Sequence, residues 1–500
     1  MTVRRITPEP DTRSAPDTAL LPALPARWDP LVQDFLADRA ALDRVADRFG
    51  TPLHLLFPQV FTDNLTRLAA VFDTTRVRYR ICYAHKVNRS AALVRTASAL
   101  GTSVDVASAG ELESARQAGF TPDRIEVTGP KGEEFLRALA DSGVTVNVDN
   151  QWELETLAGL ARPAAPIPVL LRISGFPDSR PSRFGIPVSS VEPALDILTS
   201  SRDRLDFRGL AFHLDTGDIA ERLRAAQTCF DLLERACARG LLPSVLNIGG
   251  GLRQVFTADA RRFDEYVHRL RDGLNGRGPR MSWGATTFGY QVDGTSVRGT
   301  PVFHKYANTV AADDMLTEVL TAPLERHGGR GIGRVADDNL LEIWLEPGKA
   351  LADLAGITLA RVEFVKEAAD GSVLVHLDLS RDSVTPADQE VMADPLLLPG
   401  RPPAPPAAPV GVYLAGRLCL ERDLITAHKI WLPWLPRPGD LVVFPNTAAY
   451  HSDLSAAAAA MHPPAHKVAI EWRDGTFRAT PDAEFRPVPS GGESLSPEVS

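Results

Sequence analysis

The chain has 500 residues, 44% of them apolar and 23% charged, a composition that excludes wholesale disorder and suits more than one globular domain. Its net charge of -9 and its dispersed arginines give no basic footprint for nucleic acid, and no run of about 18 apolar residues suggests a membrane span. Four cysteines, Cys82, Cys229, Cys237 and Cys419, show neither paired nor metal-type spacing, so neither a disulfide framework nor a metal site is expected.

Residues 1–25, rich in Pro, Thr and Asp without periodicity, read as a disordered N-terminal segment, as does the tail 486–500. No continuous apolar segment follows the first arginines, which places the chain in the cytoplasm. Residues 26–57 read as the N-terminal part of a β domain, with "PLHLLF" (52–57) as a strand that joins a later sheet. From about 58 to 346 short β-rich runs alternate with amphipathic segments. Eight runs are seen: "VRYRICYAHK", "TSVDVAS", "RIEVTG", "VTVNVD", "IPVLLRIS", "FRGLAFHL", "SVLNIGGG" and "LLEIWLEPG". Eight strand-helix units over such a length predict a (β/α)8 TIM-like barrel. A stretch at 278–310 has no clear period and reads as an insertion of functional length. After 346 the runs become alternating with few helical intervals, so 347–485 is a C-terminal β-rich domain, interrupted by a Pro-rich loop at 396–410.

In parallel barrels the active site gathers at the C-terminal strand ends, where the βα loops converge. The first strand ends in Lys86, the fifth carries Arg172, the sixth ends in His213, the seventh in Gly249-Gly250-Gly251 and the eighth in Glu346. Taken singly, each has an ordinary explanation as a solvated charge, a packed imidazole, a tight turn or a strand exit. Together they suit one cofactor. Strand alternation sets Lys86 on one face with the small residues Ala84 and Cys82, leaving space beside the amine. Glycines leading out of a strand let backbone N–H groups approach a phosphate. Pyridoxal 5′-phosphate (PLP) needs an amine for its Schiff base, a phosphate site and an acid at the pyridine nitrogen.

The chain also resembles the fold type III PLP-dependent decarboxylases, which include diaminopimelate, ornithine and arginine decarboxylases and share their fold with alanine racemase. The resemblance runs over about residues 48 to 475: "FGTPLHLL", "YAHKVN", "GTSVDVASAGELESARQAGF", "PSRFGI", "FHLDTG", "NIGGG", "EPGKAL", "LCLERD" and "NTAAY" follow the family's motifs in order. It implies that Lys86 carries the cofactor, that His213 stacks on its ring, and that Glu346 pairs with the ring nitrogen. Thr216, Gly249, Gly250, Gly251 and Tyr450 would serve the phosphate, with Lys349, Arg172 and Asp105 completing the cofactor site. Cys419 would reprotonate the α-carbon after CO2 leaves, reaching across a homodimer from the partner. A thiol, ordinarily protonated at neutral pH, is able to donate.

Several residues depart from the family pattern. Leu420 stands where many members carry a carboxylate for the substrate's distal amine. Glu421 or Asp423 could substitute, whereas Arg417 makes a carboxylated side chain equally plausible. Arg183, in the "PSRFGI" segment, is a further candidate for substrate binding. Lys349 replaces an arginine, and Asp215 replaces a glycine beside the phosphate loop, where extra negative charge is unhelpful unless it points away. With the 278–310 insertion, these changes suggest a remodelled pocket. The expected function is a PLP-dependent decarboxylase of an amino acid or derivative, with a specialised substrate of the kind met in secondary metabolism. A racemase or epimerase is the alternative enzyme, although the order "LCLERD" then "AAY" fits decarboxylases better. A non-catalytic PLP-binding protein is the alternative outside enzymes.

Overall fold

A computed structural model describes residues 22–257, 259–385, 393–453 and 459–488, with backbone alone at 304 and 305. The eight expected runs form eight parallel strands: Tyr79–Ala84, Ser103–Val106, Ile125–Val127, Thr145–Val148, Ile167–Ser174, Leu205–Ala211, Val245–Asn247 and Glu342–Leu345. Each pairs with the next, and the last pairs back onto the first, which closes the barrel. Most of these strand residues are buried, as parallel strands covered on the outside by helices and filled within must be. The helices after the first, second and fourth strands start on polar caps. Ser90, Ser108 and Asn150 accept the N–H of Leu93, Glu111 and Glu153 respectively, and Glu111 reaches back to the Ala107 N–H at 2.7 Å.

The second domain is a mixed sheet built on the long strand Gly356–Glu367. The N-terminal strand Leu53–Leu56 lies between it and His466–Arg473, antiparallel to the first and parallel to the second, as expected for "PLHLLF". Three short strands absent from the sequence reading also join the sheet: Leu396–Leu398, Ile430–Leu432 and Thr476–Pro481. The first of these opens the Pro-rich stretch, which is therefore not loop throughout.

The N-terminal assignments need two corrections. Leu24 is fully buried and its N–H donates to Asp394 at 2.8 Å, so order begins before residue 26; residues 1–21 and 489–500 lie outside the described residues. Residues 26–57 are mostly helical, with Pro30–Ala37 capped by Asp29 and Arg39–Phe49 capped by Asp38. The 278–310 insertion contains a hairpin, Gln291–Asp293 with Ser296–Arg298. Its Met281, Phe288, Tyr290, Val297, Phe303 and Tyr306 pack with Phe263, Tyr266 and Leu270 of the preceding helix. It is fastened to the second domain through Trp283 N–H to Ala427 O (2.8 Å) and Lys429 N–H to Met281 O (2.9 Å).

Two histidines inside these interfaces should make the fold acid-sensitive. Burial pulls both His54, which shares a 2.9 Å hydrogen bond with Thr358, and His428, wedged among Tyr266 and Phe288, from 6.5 down to about 3. Unfolding lets each take up a proton at the ordinary value, so their contribution is complete above pH 6.5 and is lost as the pH falls towards 3. Each histidine should remove up to about 1.4 kcal/mol of stability per pH unit across that window. Thermal melts from pH 7 to pH 4 test this, and the dependence should weaken in His428→Phe.

Candidate active site

The first barrel strand stops at Ala84, and His85–Val87 makes one 3-10 turn. Lys86 therefore leaves the barrel from a turn rather than along the strand face. Cys82 lies deeper, packed inside the barrel with Leu170, Ala211, Val245 and Trp344, while Ala84 lines the same cleft as Lys86. That cleft opens to solvent and is walled by Ala84, Lys86, His213, Asp215, Gly251, Leu252, residues 346–350 and Tyr450.

The turn carrying Lys86 is held from two sides. Ala84 N–H donates to Pro347 O (3.3 Å) and Tyr450 N–H to Val87 O (2.8 Å). A Cβ on Gly348 would stand 2.1 Å from Val87 Cγ2, so glycine is what lets the Glu346-Pro347-Gly348 turn close on it. Lys86 Nζ lies 3.9 Å from Asp105 Oδ2, an atom that is buried and has no hydrogen-bond partner among the described residues; the other oxygen accepts from Thr128 at 2.5 Å. Burial acts most strongly on the amine and lowers its pKa, but Asp105 and Glu346 outweigh it and the value ends above the ordinary one. Burial and the neighbouring Asp105 raise Glu346, which Lys86 and Arg172 oppose.

His213 accepts the Gly250 N–H on Nδ1 at 3.1 Å, which leaves its proton on Nε2. Burial, then Lys86 and Arg172, hold its pKa near 3, so it is neutral in ordinary buffers. The three glycines have no room for side chains: an added Cβ would come 2.4 Å from Phe212 O at Gly249, 2.3 Å from Glu346 O at Gly250 and 2.2 Å from Leu214 O at Gly251. Arg222 clamps this turn to the loop after the sixth strand. Only 1% exposed, it donates to Leu214 O, Gly250 O and Gly251 O at 2.6–2.9 Å and to Thr216 O at 3.3 Å. Thr216 Oγ1 accepts the Asp218 N–H (3.0 Å) at the start of the following helix. Lys349 Nζ stands 3.6 Å from Asp215 Oδ1 and 5.9 Å from the Tyr450 ring centre, so the two unusual charges pair with each other.

Other expected residues lie outside the cleft wall. Arg172 and the exposed Arg183 both stack on Phe184, at 4.7 and 4.0 Å, and Arg172 is close enough to influence Lys86, His213 and Glu346. Cys419, Leu420 and Glu421 are exposed on a loop of the second domain and none of them lines the cleft. Asp423 is not placed for substrate: its carboxylate is buried in its own loop, accepting Leu418 N–H and Arg381 N–H at 2.7 Å each. Arg417 is likewise engaged, donating to Pro463 O at 2.9 Å. No described side chain of the 278–310 insertion is on this cleft's wall, and the stretch is fastened to the second domain. Residues 454–458, within the Ala-rich segment after Tyr450, lie outside the described residues.

The sequence reading missed Arg222, Glu126, Asn147 and Asn247, which sit beneath the cleft or behind its glycines. Arg222 and Asn247 had a signal in their spacing from "FHLDTG" and "NIGGG"; Glu126 and Asn147 had none.

Residues 62–282 match the family model for the pyridoxal-dependent decarboxylase, pyridoxal binding domain. The uncharacterized protein y4yA of Sinorhizobium fredii is 33% identical over 444 residues, covering 87% of this chain and 92% of that protein. The chain belongs to the fold type III PLP-dependent decarboxylase family. Diaminopimelate decarboxylase of Bacillus subtilis is 25% identical over 433 residues, covering 81% of this chain and 83% of the relative. The family fold is shared with the diaminopimelate decarboxylase of Helicobacter pylori complexed with L-lysine, at a TM-score of 0.63 and 17% identity over 88% of this chain and 95% of that one. It is also shared with the Paramecium bursaria Chlorella virus arginine decarboxylase bound to agmatine, at a TM-score of 0.63 and 18% identity over 87% of this chain and all of that one.

Proposed function

We propose that this chain is a PLP-dependent decarboxylase acting on an amino acid or amino-acid derivative. The observation that carries the reading is the meeting of Lys86, His213, Glu346 and the glycine turn at one barrel cleft. The residues fit the cofactor. The glycine turn packs so closely on Phe212 O, Glu346 O and Leu214 O that no Cβ fits, and it brings Gly251 to the cleft wall; His213 presents a neutral ring, and Asp105 Oδ2, beside the lysine, is a buried acceptor without a hydrogen-bond partner among the described residues. Bound there, PLP would supply the electron sink for the electron pair left when CO2 departs.

The chain's own groups then divide the work. Lys86 offers the amine for covalent attachment, with Asp105 as the nearest carboxylate. Glu346 would pair with the ring nitrogen and favour its protonated form, and His213 would lie against the ring. Gly251, on the cleft wall, with Thr216 and Tyr450 would take the phosphate, while the Gly249 and Gly250 N–H groups hold the turn in shape by donating to Asn247 Oδ1 and His213 Nδ1. Asp215 neutralises Lys349 at the rim and spares the phosphate site its negative charge.

Cys419 serves as the proton donor to the α-carbon in the cleft of a second copy, which explains its exposure on a loop away from its own cleft. Cys419→Ala should lower CO2 release by about 10²-fold. Mixing it with Lys86→Ala should restore about a quarter of wild-type activity, through hybrid dimers with one intact site. No recovery on mixing would place both residues in a single chain's site.

Leu420, 48% exposed beside Cys419, offers no charge to a distal ammonium, which favours a substrate with an acidic or N-acylated side chain. Screening such L- and D-amino acids for CO2 release in D2O tests the reading. CO2 with one deuterium on the product α-carbon supports a decarboxylase, whereas α-deuteration without CO2 identifies a racemase.

A further inference from the structure

Beneath the cleft, three polar side chains project into the barrel from strands that are otherwise apolar. Glu126 is 1% exposed, and its hydrogen bonds within the described residues come from amides. Asn147 Nδ2 donates to its Oε1 at 2.8 Å, and Asn247 Nδ2 reaches Oε1 and Oε2 at 2.9 and 3.0 Å. The same Asn247 nitrogen donates to Glu346 Oε1 at 2.7 Å, while its oxygen accepts the Gly249 N–H at 2.8 Å. That last bond fixes the amide's orientation, since only the oxygen can accept. One asparagine thus divides its two hydrogens between two carboxyl groups and anchors the glycine turn with its oxygen.

We infer that Glu126 is a positioning residue: through Asn247 it fixes the Glu346 carboxyl where the pyridoxal ring nitrogen meets it, and it keeps Glu346 the charged member of the pair. The inference rests on the PLP reading of the cleft. Two buried carboxyl groups sharing one amide cannot both ionise without cost, so one proton is held between them. The surrounding charges decide which group keeps it. Glu346 faces Lys86 and Arg172 as well as Asp105, whereas Glu126 faces Glu346 and Asp105 with no cation among its principal influences. Burial raises both. Negative charge therefore settles on Glu346, nearest the cleft, and the proton on Glu126. Asn147 Oδ1 is buried without a hydrogen-bond partner among the described residues.

The test measures the PLP dissociation constant and the pH midpoint of the bound cofactor's visible band in wild type, Glu126→Gln and Glu126→Leu, with a thermal melt of each. Glutamine matches a neutral carboxyl group in shape and still accepts from both asparagines, so Glu126→Gln should stay within about twofold of wild type in affinity. Leucine leaves both amides without their acceptor and frees Glu346, so affinity should weaken about tenfold and the midpoint should move by about one pH unit. An unmoved midpoint in Glu126→Leu, even with a lower melting temperature, would reduce Glu126 to a structural role and overturn the inference. Equal impairment in Glu126→Gln and Glu126→Leu would overturn it too, because ionised Glu126 would then be required. Failure of wild type itself to bind PLP would remove the functional reading and this inference with it, whereas normal binding by wild type and both variants removes the inference alone.

Discussion

Gly250→Ala should abolish useful PLP binding while leaving a folded protein. Gly250 has a negative φ, so alanine would meet no backbone penalty; the obstacle is space. Its Cβ would stand 2.3 Å from Glu346 O and 3.5 Å from His213 Cε1. Neither is the end of a flexible side chain. The Glu346 backbone is tied to the same turn by its N–H to Gly249 O at 2.9 Å, and the Gly250 N–H holds His213. Relieving the overlap must therefore push apart the phosphate cradle, the ring-nitrogen partner and the stacking imidazole together. Overpacking of this kind costs about 1–3 kcal/mol, and if borne in the binding site it weakens PLP by about 10²-fold. Gly159→Ala, in a helix and with nothing within 4 Å of the added carbon, is the control: affinity unchanged and stability raised by about 0.5–1 kcal/mol. Equilibrium titration followed by visible absorbance measures both variants.

Lys86→Ala should lower CO2 release by at least about 10³-fold, the larger of the two effects on catalysis. Removing the amine also takes away the cation 3.9 Å from Asp105, so Asp105 and Glu346 face each other with Arg172 as their remaining positive neighbour. Lys86→Arg restores the charge and not the chemistry, because a guanidinium does not give up its proton to become a nucleophile. The pair separates electrostatics from covalent attachment. Both variants should lose activity, and Lys86→Arg should retain the thermal stability at neutral pH that Lys86→Ala loses, a difference that closes as acid protonates the carboxyl groups.

The barrel was legible because each parallel strand is buried inside and out, and so appears as a short, mainly apolar run between amphipathic segments, some of them opened by Ser or Asn caps. The strand ends were legible for a topological reason: a barrel brings them together wherever they fall in the chain. What lay inside the barrel was not. In "RIEVTG" and "VTVNVD", Glu126 and Asn147 alternate with apolar residues as solvent-facing positions do, and only closure of the sheet turns that face inward. Asp423 failed for the opposite reason. An acidic residue near Cys419 resembles a ligand, but the glycine at 416 leaves just enough room for its carboxylate to fold back onto the loop's own amides. The helices at 30–49 carried Asp caps and an amphipathic pattern in plain view, and were hidden by the neighbouring strand that does join the sheet. In the second domain the missed strands Leu396–Leu398 and Ile430–Leu432 are three residues each, too short to show a period.

The most direct measurement follows CO2 and product amine together from one amino acid, using PLP-loaded wild type beside Lys86→Ala. Equal amounts of CO2 and amine from wild type, with neither from the variant, is the predicted result. Wild type that binds PLP through Lys86 yet releases no CO2 from any amino acid or N-acylated derivative would contradict a decarboxylase at this cleft.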